Sequence, residues 1–333
     1  MELTVDQTRD LAHAAMRSCG YTEHEAAVIA DHLLDCELRG LSFGGLARGL
    51  SVAERRLSMP EPSPITIVKD TPVSATLDGG DQVGYLVARQ ATDLAIAKAS
   101  TVGMAVVAAR RTWYTGMFSY YLETITKAGL VGIVAGSGLQ LVAPHGGTEG
   151  RFGTNPIAFG FPSDDQPIIW DIGTSEVMLG EVMLRERLGD LLDEGHAYAP
   201  DGQPTQDPTA ALAGALAVWG GHKGSGLALT VQLLGMMTGA SADPEGLTDC
   251  GFFLVAINPA LLTDAPDYRR RVTEYAQDLR NTRPVDPTKP VRVPFDRSAT
   301  ERSKRLASNS IDVDDRVYRM IIELAGEPEP TTG

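Results

Sequence analysis

Apolar and polar positions alternate along this chain in two rhythms. Over residues 1–60 the rhythm is helical. Ala26, Ile29, Ala30, Leu33 and Leu34 recur at intervals of three and four and share one helix face. Thr4 with Gln7, and Thr22 with Glu25, match capping boxes, in which a hydroxyl and a side-chain carbonyl oxygen satisfy otherwise orphaned N–H groups. Gly20 and Gly40 fit helix stops. A third helix is expected over residues 46–57, ended by the prolines at 60, 62 and 64.

From Ile65 the rhythm shortens towards a period of two. Residues 65–68 and 73–77 read as short strands, with Asp78-Gly79-Gly80-Asp81 as the turn after them. Helices are expected at 86–99 and 117–127, and buried strands at 104–108, 130–135, 157–161 and 168–171. Residues 180–210 are polar and read as an irregular surface excursion. A long helix over 224–237 and a buried strand over 252–257 follow. The chain then shows an Arg-rich amphipathic helix at 268–280, a proline-marked loop at 284–294, two last helices and a frayed end over 327–333. Strand–helix–strand alternation implies an α/β core. The expected division is a helical region over 1–75 that packs with C-terminal helices 295–326, an α/β core over 76–260, and helices and tail over 261–333.

Composition narrows the function. The 333 residues are 43% hydrophobic and 22% charged, the balance of a globular protein rather than a disordered one. A net charge of −14 with no basic run argues against nucleic acid. No apolar stretch reaches membrane-spanning length, and the start lacks a secretion-signal pattern. Cys19, Cys36 and Cys250 are too few and scattered for a disulfide scaffold, so a cytoplasmic, reducing setting is expected. None of the six histidines pairs at metal-ligand spacing, so no metal is expected. His13, His24 and His32 lie on the N-terminal helices, where solvent-facing or interface positions are expected.

The usual dinucleotide fingerprint is absent: Gly136-Ser137-Gly138 and Gly224-Ser225-Gly226 each end on leucine where the third glycine belongs. There is no Walker A loop and no Gly-x-Ser-x-Gly elbow. Three stretches remain. Residues 143–156 are dense in glycine and contain His145, Gly153, Thr154 and Asn155; such glycines admit close backbone approach to a ligand, although they equally suit a plain strand connection. Asp171-Ile172-Gly173-Thr174-Ser175 follows an apolar strand, where α/β sheets place ligands, and can also be a simple turn or cap. Gly220-Gly221-His222-Lys223-Gly224 opens an apolar helix. A lysine is disfavoured at that end by the helix dipole, which makes an anion site the better reading there.

In order along the chain, Arg39-Gly40…Arg48, Ala143-Pro144…Gly146-Gly147…Glu149…Phe152-Gly153-Thr154-Asn155-Pro156, Asp171…Thr174-Ser175, Asp207-Pro208, Gly220-Gly221-His222-Lys223-Gly224 and the strand from Phe252 to Pro259 resemble the type-2 malate/L-lactate dehydrogenase family. That family includes ureidoglycolate, sulfolactate and diketogulonate dehydrogenases and cyclic-imine reductases. The resemblance covers nearly the whole chain. It implies a non-Rossmann, sulfolactate-dehydrogenase-like α/β fold with a mixed sheet flanked by helices, a homodimer, and NADH or NADPH bound between domains. Family cofactor contacts would fall on Gly153, Thr154, residues 171–177 and His222-Lys223-Gly224.

The chain also departs from the family pattern. The family's Ser-His-Gly-x-x-Arg aligns its serine with Phe43 and its catalytic histidine with Gly44, beside Ser42, and keeps the arginine as Arg48, expected to hold a substrate carboxylate. A second family histidine falls on Tyr114 within Thr112-Trp113-Tyr114-Thr115-Gly116. The family's Gly-Lys is Gly180-Glu181, and its Pro-Gly-Glu is Pro294-Phe295-Asp296. Imidazole shuttles protons near neutrality and glycine cannot. Tyr114 can donate a proton, although its unperturbed pKa is near 10. His145 is a further candidate for the lost imidazole. Phe43, Trp113 and Tyr114 add aromatic surface, and the volume vacated at Gly44 would suit a larger or flatter substrate. Three readings stand: a reductase of a carboxylated ketone or imine, a non-redox cyclase, isomerase or lyase on the same scaffold, and a catalytically silent binding subunit.

Overall fold

The N-terminal helices form as their caps dictate. A computed structural model describes residues 1–326, so the expected frayed end at 327–333 lies outside the described residues. A short strand β1 (Glu2–Leu3) leads into α1 (Val5–Ser18) and α2 (Glu23–Leu38); both capping boxes are closed in both directions. Gly20 and Gly40 take positive φ just past the helix ends. A single 3₁₀ turn, Ser42–Gly44, then enters α3 (Leu46–Ser58).

Next come β2 (Thr66–Thr71), β3 (Ser74–Val83), α4 (Gly84–Val102), β4 (Met104–Trp113), α5 (Phe118–Lys127), β5 (Val131–Gly136), β6 (Ile157–Phe161) and β7 (Ile168–Ile172). The chain continues through α6 (Leu179–Leu188), β8 (Ala197–Tyr198), β9 (Pro204–Thr205), α7 (Pro208–Ala213), β10 (Ala215–Leu216), α8 (His222–Met237) and β11 (Phe252–Ile257). It closes with α9 (Ala265–Arg280), α10 (Asp296–Ser308), β12 (Ile311–Asp312) and α11 (Asp315–Ala325).

One seven-stranded sheet runs β2-β3-β4-β11-β5-β6-β7, with β3 and β4 parallel and every other pair antiparallel. The mixed α/β fold flanked by helices is therefore the observed one. Ala88, Ala91 and Ala95 of α4 and Phe118, Leu122 and Ile125 of α5 pack on one sheet face with Val107, Val134 and Leu254. A second core joins Leu11, Met16, Leu33 and Leu50 to Val317, Ile321 and Ile322, so α11 packs among the first three helices.

Three expectations change. Asp78 to Asp81 is not a turn between elements. It is an irregularity inside β3, whose pairing with β4 resumes at Gln82 and Val83. Gly80 and Asp81 sit at φ near +62°, and a Cβ at Gly79 would crowd the Arg111 carbonyl oxygen, so the bulge needs glycine. Residues 180–210 are not an irregular excursion. They hold α6, part of α7 and two strands of a three-stranded sheet, β10-β8-β9, around a core of Val182, Leu192, Ala197 and Ala211. Their apolar residues are sparse, and shared burial rather than period organises them. His32 is fully buried, not solvent-facing, because α2 is covered on several sides at once.

Candidate active site

A cavity of about 280 Å³ opens where several chain segments meet. Phe43 and Gly44 come from the 3₁₀ turn, Arg48 from α3 and Cys36 from α2. Tyr114 directly follows β4, and β7 with the residue after it supplies Asp171 and Gly173. Thr154 and Asn155 precede β6, and Met178, Leu179 and Gly180 begin α6.

Arg48 and Tyr114 form one wall. The guanidinium carbon lies 4.4 Å from the Tyr114 ring centroid, and both Arg48 Nη1 and Tyr114 Oη approach Met183 Sδ at 3.6 Å. Arg48 has no carboxylate partner among the described residues. Burial pushes the Tyr114 phenol above its ordinary value, and the nearby cations Arg48 and Arg55 act against that rise. Tyr114 takes φ +49°, a conformation uncommon for a bulky side chain and one that re-aims it at the strand's end.

Asp171 is the carboxylate in the wall. Its Oδ2 accepts from the Ser119 backbone N–H at 2.7 Å, in the first turn of α5. Burial still raises it, to about 6, against that hydrogen bond. Asn155 is buried at φ +35°. Its Nδ2 donates to the Ala228 carbonyl at 2.8 Å and to Gln232 Oε1 at 3.0 Å, while Oδ1 has no partner among the described residues.

The structure disperses other residues read from sequence. Ser42 is exposed and outside the cavity wall. Thr112 and Trp113 are buried behind it: Thr112 Oγ1 donates to the Gln82 carbonyl, and Trp113 Nε1 to the Asp81 carbonyl. The β4 strand runs to Trp113, and both of its last two side chains are buried. His145 is exposed and stands apart from the cavity wall, 6.2 Å ring to ring from His222. His222 and Lys223 are exposed at the start of α8, and Gly224 is buried where a Cβ would overlap the Trp219 carbonyl. Thr174 and Ser175 spend their hydroxyl protons internally, on the Thr154 and Val177 carbonyls. Gly153 packs against Asn155 outside the wall. At Gly44 a Cβ would sit 3.2 Å from Cys36 Sγ, so Cys36 takes up part of the room that glycine leaves.

Sequence reasoning missed Cys36, Tyr85, Met178 and Leu247 as lining residues. They lie on separate elements, and no local pattern marks them. Among the described residues no three His, Cys, Asp or Glu side chains gather as a metal set, and no helix is long and apolar enough to cross a membrane.

The family model for malate/L-lactate dehydrogenase matches residues 3–322. This chain belongs to that family. It is 31% identical to the L-sulfolactate dehydrogenase of Methanocaldococcus jannaschii over 98% of this chain and 97% of that one. It is 33% identical to the Delta(1)-pyrroline-2-carboxylate/Delta(1)-piperideine-2-carboxylate reductase of Pseudomonas aeruginosa, over 80% of this chain and 83% of that one. Among solved structures, a dehydrogenase from Sinorhizobium meliloti superposes with a TM-score of 0.88 at 30% identity, covering 98% of both chains. Family members of this kind are dehydrogenases and reductases of small carboxylates and cyclic imines.

Proposed function

We propose that this protein is an NAD(P)H-dependent oxidoreductase that reduces a small carboxylated ketone or imine in a remodelled active site. The observation that carries the reading is Arg48, a guanidinium in the cavity wall with no carboxylate of its own. A planar guanidinium pairs with carboxylate through two parallel hydrogen bonds. Sulfolactate, malate and pyrroline-2-carboxylate, the compounds named for relatives, each bear a carboxylate.

One buried polar atom of the cavity wall supports a nicotinamide there. Asn155 Oδ1 is a buried acceptor lacking a donor, as the carboxamide of that ring would supply. Thr154, Asn155 and Gly173 of the cavity wall would hold that half, and His222 and Lys223, exposed at the start of α8, its phosphates. When bound, the cofactor supplies hydride. Arg48 orients the substrate, Tyr114 or Asp171 supplies a proton to a carbonyl oxygen, and a protonated iminium would need none. Titration with NADH and NADPH, read by calorimetry, is the test. Micromolar binding of either is expected, with Arg48→Met weakening a 2-oxo acid ligand by roughly 100-fold at unchanged cofactor affinity. No cofactor binding at millimolar concentration would sink the redox reading.

One observation favours a second reading. No histidine lines the cavity among the described residues. A non-redox cyclase, isomerase or lyase would use the same Arg48 subsite without cofactor.

We also propose a homodimer. Leu229, Leu233, Met236 and Met237 of α8 are exposed together with Trp219. An apolar face of this kind is usual at an interface and costly in water. Sedimentation is expected to give twice the 35.5 kDa chain mass, and Leu233→Asp to return the monomer. A monomeric wild type rules the pairing out.

A further inference from the structure

Helix α3 carries Arg48 but begins without a capping side chain: its N-cap is Gly45. The first N–H groups of a helix need acceptors. Here the acceptor comes from another helix. Glu37 of α2 is fully buried, and its Oε1 accepts from the Leu46 N–H at 2.7 Å. A Cβ at Gly45 would overlap the Glu37 carboxylate, so the glycine at the N-cap is what admits it. Glu37 Oε2 is buried with no partner among the described residues. The same Gly45 ends the 3₁₀ turn whose Phe43 and Gly44 line the cavity.

We propose that Glu37 is a positioning residue for the Arg48 carboxylate subsite, acting as a cap borrowed from α2 that holds α3 and the turn before it in register with the cavity. The inference rests on the reading of Arg48 as the carboxylate ligand. The anionic cap is the stronger one, because negative charge is favoured at a helix N-terminus. Burial raises Glu37 to about 7, opposed by the Leu46 N–H bond and by Arg305. Other groups near it are Glu301, paired with Arg305 on α10, and, flanking it on α2, the Cys36 thiol raised by burial and the Asp35–Arg39 pair with Arg302. Neither an arginine nor a simple substrate carboxylate titrates near pH 7. Cap strength and anion binding therefore rise together as pH passes upward through about 7. Asp171 acts oppositely, since its ionisation near 6 repels an anion in the cavity.

The test pairs an amide probe with a ligand. The Leu46 amide resonance of the wild type is followed from pH 5.5 to 8.5, together with the calorimetric Kd for oxamate, a non-reacting monocarboxylate. Both are repeated in Glu37→Gln, which keeps the acceptor oxygen and removes the charge. The wild-type Leu46 amide should titrate with a midpoint near 7 and be flat in the variant. The ratio of wild-type to variant oxamate affinity should grow about fivefold between pH 6 and 8. The ratio cancels Asp171, which both proteins share. A Leu46 amide that does not titrate, or a ratio constant with pH, overturns the role of Glu37. If Leu46 titrates but oxamate binds at no pH, the carboxylate reading of Arg48 fails and takes the positioning role with it.

Discussion

Replacing Tyr114 by phenylalanine is expected to lower ketone reduction by about 10²–10⁴-fold, the usual loss of a general acid, with the NADH or NADPH Kd unchanged. The substitution is clean because the ring's role and the hydroxyl's are separable here. Arg48 stacks on the ring face, and phenylalanine keeps that contact. Among the described residues the hydroxyl's partner is Met183 Sδ, a weak acceptor, so the fold loses little. Burial keeps the phenol protonated at neutral pH, while Arg48 and Arg55 favour the phenolate that donation would leave. Asp171 is the rival donor, and the two differ in pH dependence. A carboxyl raised to about 6 holds its proton only in mild acid. With Asp171 as donor, kcat/KM for reduction falls about tenfold per pH unit above 6 and Tyr114→Phe stays near wild type. With Tyr114 as donor, that tenfold-per-unit fall is absent from 6 to 8, only the few-fold change in carboxylate binding remains, and Asp171→Asn keeps most activity. Wild-type turnover in Tyr114→Phe removes Tyr114 from the mechanism.

His32→Phe is expected to be less stable than the wild type at pH 7.5 and more stable below about pH 5. His32 Nε2 accepts the Met117 N–H at 2.9 Å among the rings of Tyr85, Tyr120 and Tyr121, and Nδ1 is buried without a partner among the described residues. Phenylalanine suits the aromatic surroundings but leaves that N–H unpaired, a cost of about 1–3 kcal/mol. The acid side has the opposite sign. Burial first, and Arg39 second, depress the imidazole to about 3 from an ordinary 6.5. The unfolded chain therefore takes up a proton that the native one refuses. The associated stability is complete above pH 6.5 and is lost as pH falls towards 3, summing to about 4–5 kcal/mol. The variant carries no such loss, so the curves cross. Glu37 and Asp171 pull the other way: with raised pKa values, their stabilising contribution is full below pH 4 and declines as pH rises through about 6 and 7. Wild-type stability alone is flattened by these opposed terms. The difference between urea melts of wild type and variant from pH 4 to 8 isolates His32. Parallel curves would mean that His32 protonates inside the native protein.

Much of the fold was legible because its signals are local. Both capping boxes lie within a single turn, and the helices they start are where the spacing puts them. The apolar runs at β4, β5, β6, β7 and β11 are strands of one sheet. The ordered motifs from Arg39 to Pro259 were enough to name the family before any coordinates. The misreadings share a cause. Asp78 to Asp81 has a turn's composition, yet a neighbouring strand that continues to Trp113 recaptures the chain at Gln82. His32 looked like a surface residue because one helix shows one apolar stripe, whereas α2 packs against α1, α3, α4 and α10.

The sequence by itself determined most of the helices and strands and where the caps close. Those properties rest on neighbours a few positions away. Only the tertiary structure decided which side chains meet. β11 enters the sheet between β4 and β5, bringing the end of β4 and the loop after β5 to one cavity. Tyr114 thereby meets Arg48, while Trp113 turns into the core and His145 stays outside. Glu37 caps a helix nine residues further on, across the turn that Gly45 keeps open. Such convergence follows from burial and sheet order acting over the whole chain, and no local rhythm of apolar and polar positions encodes it.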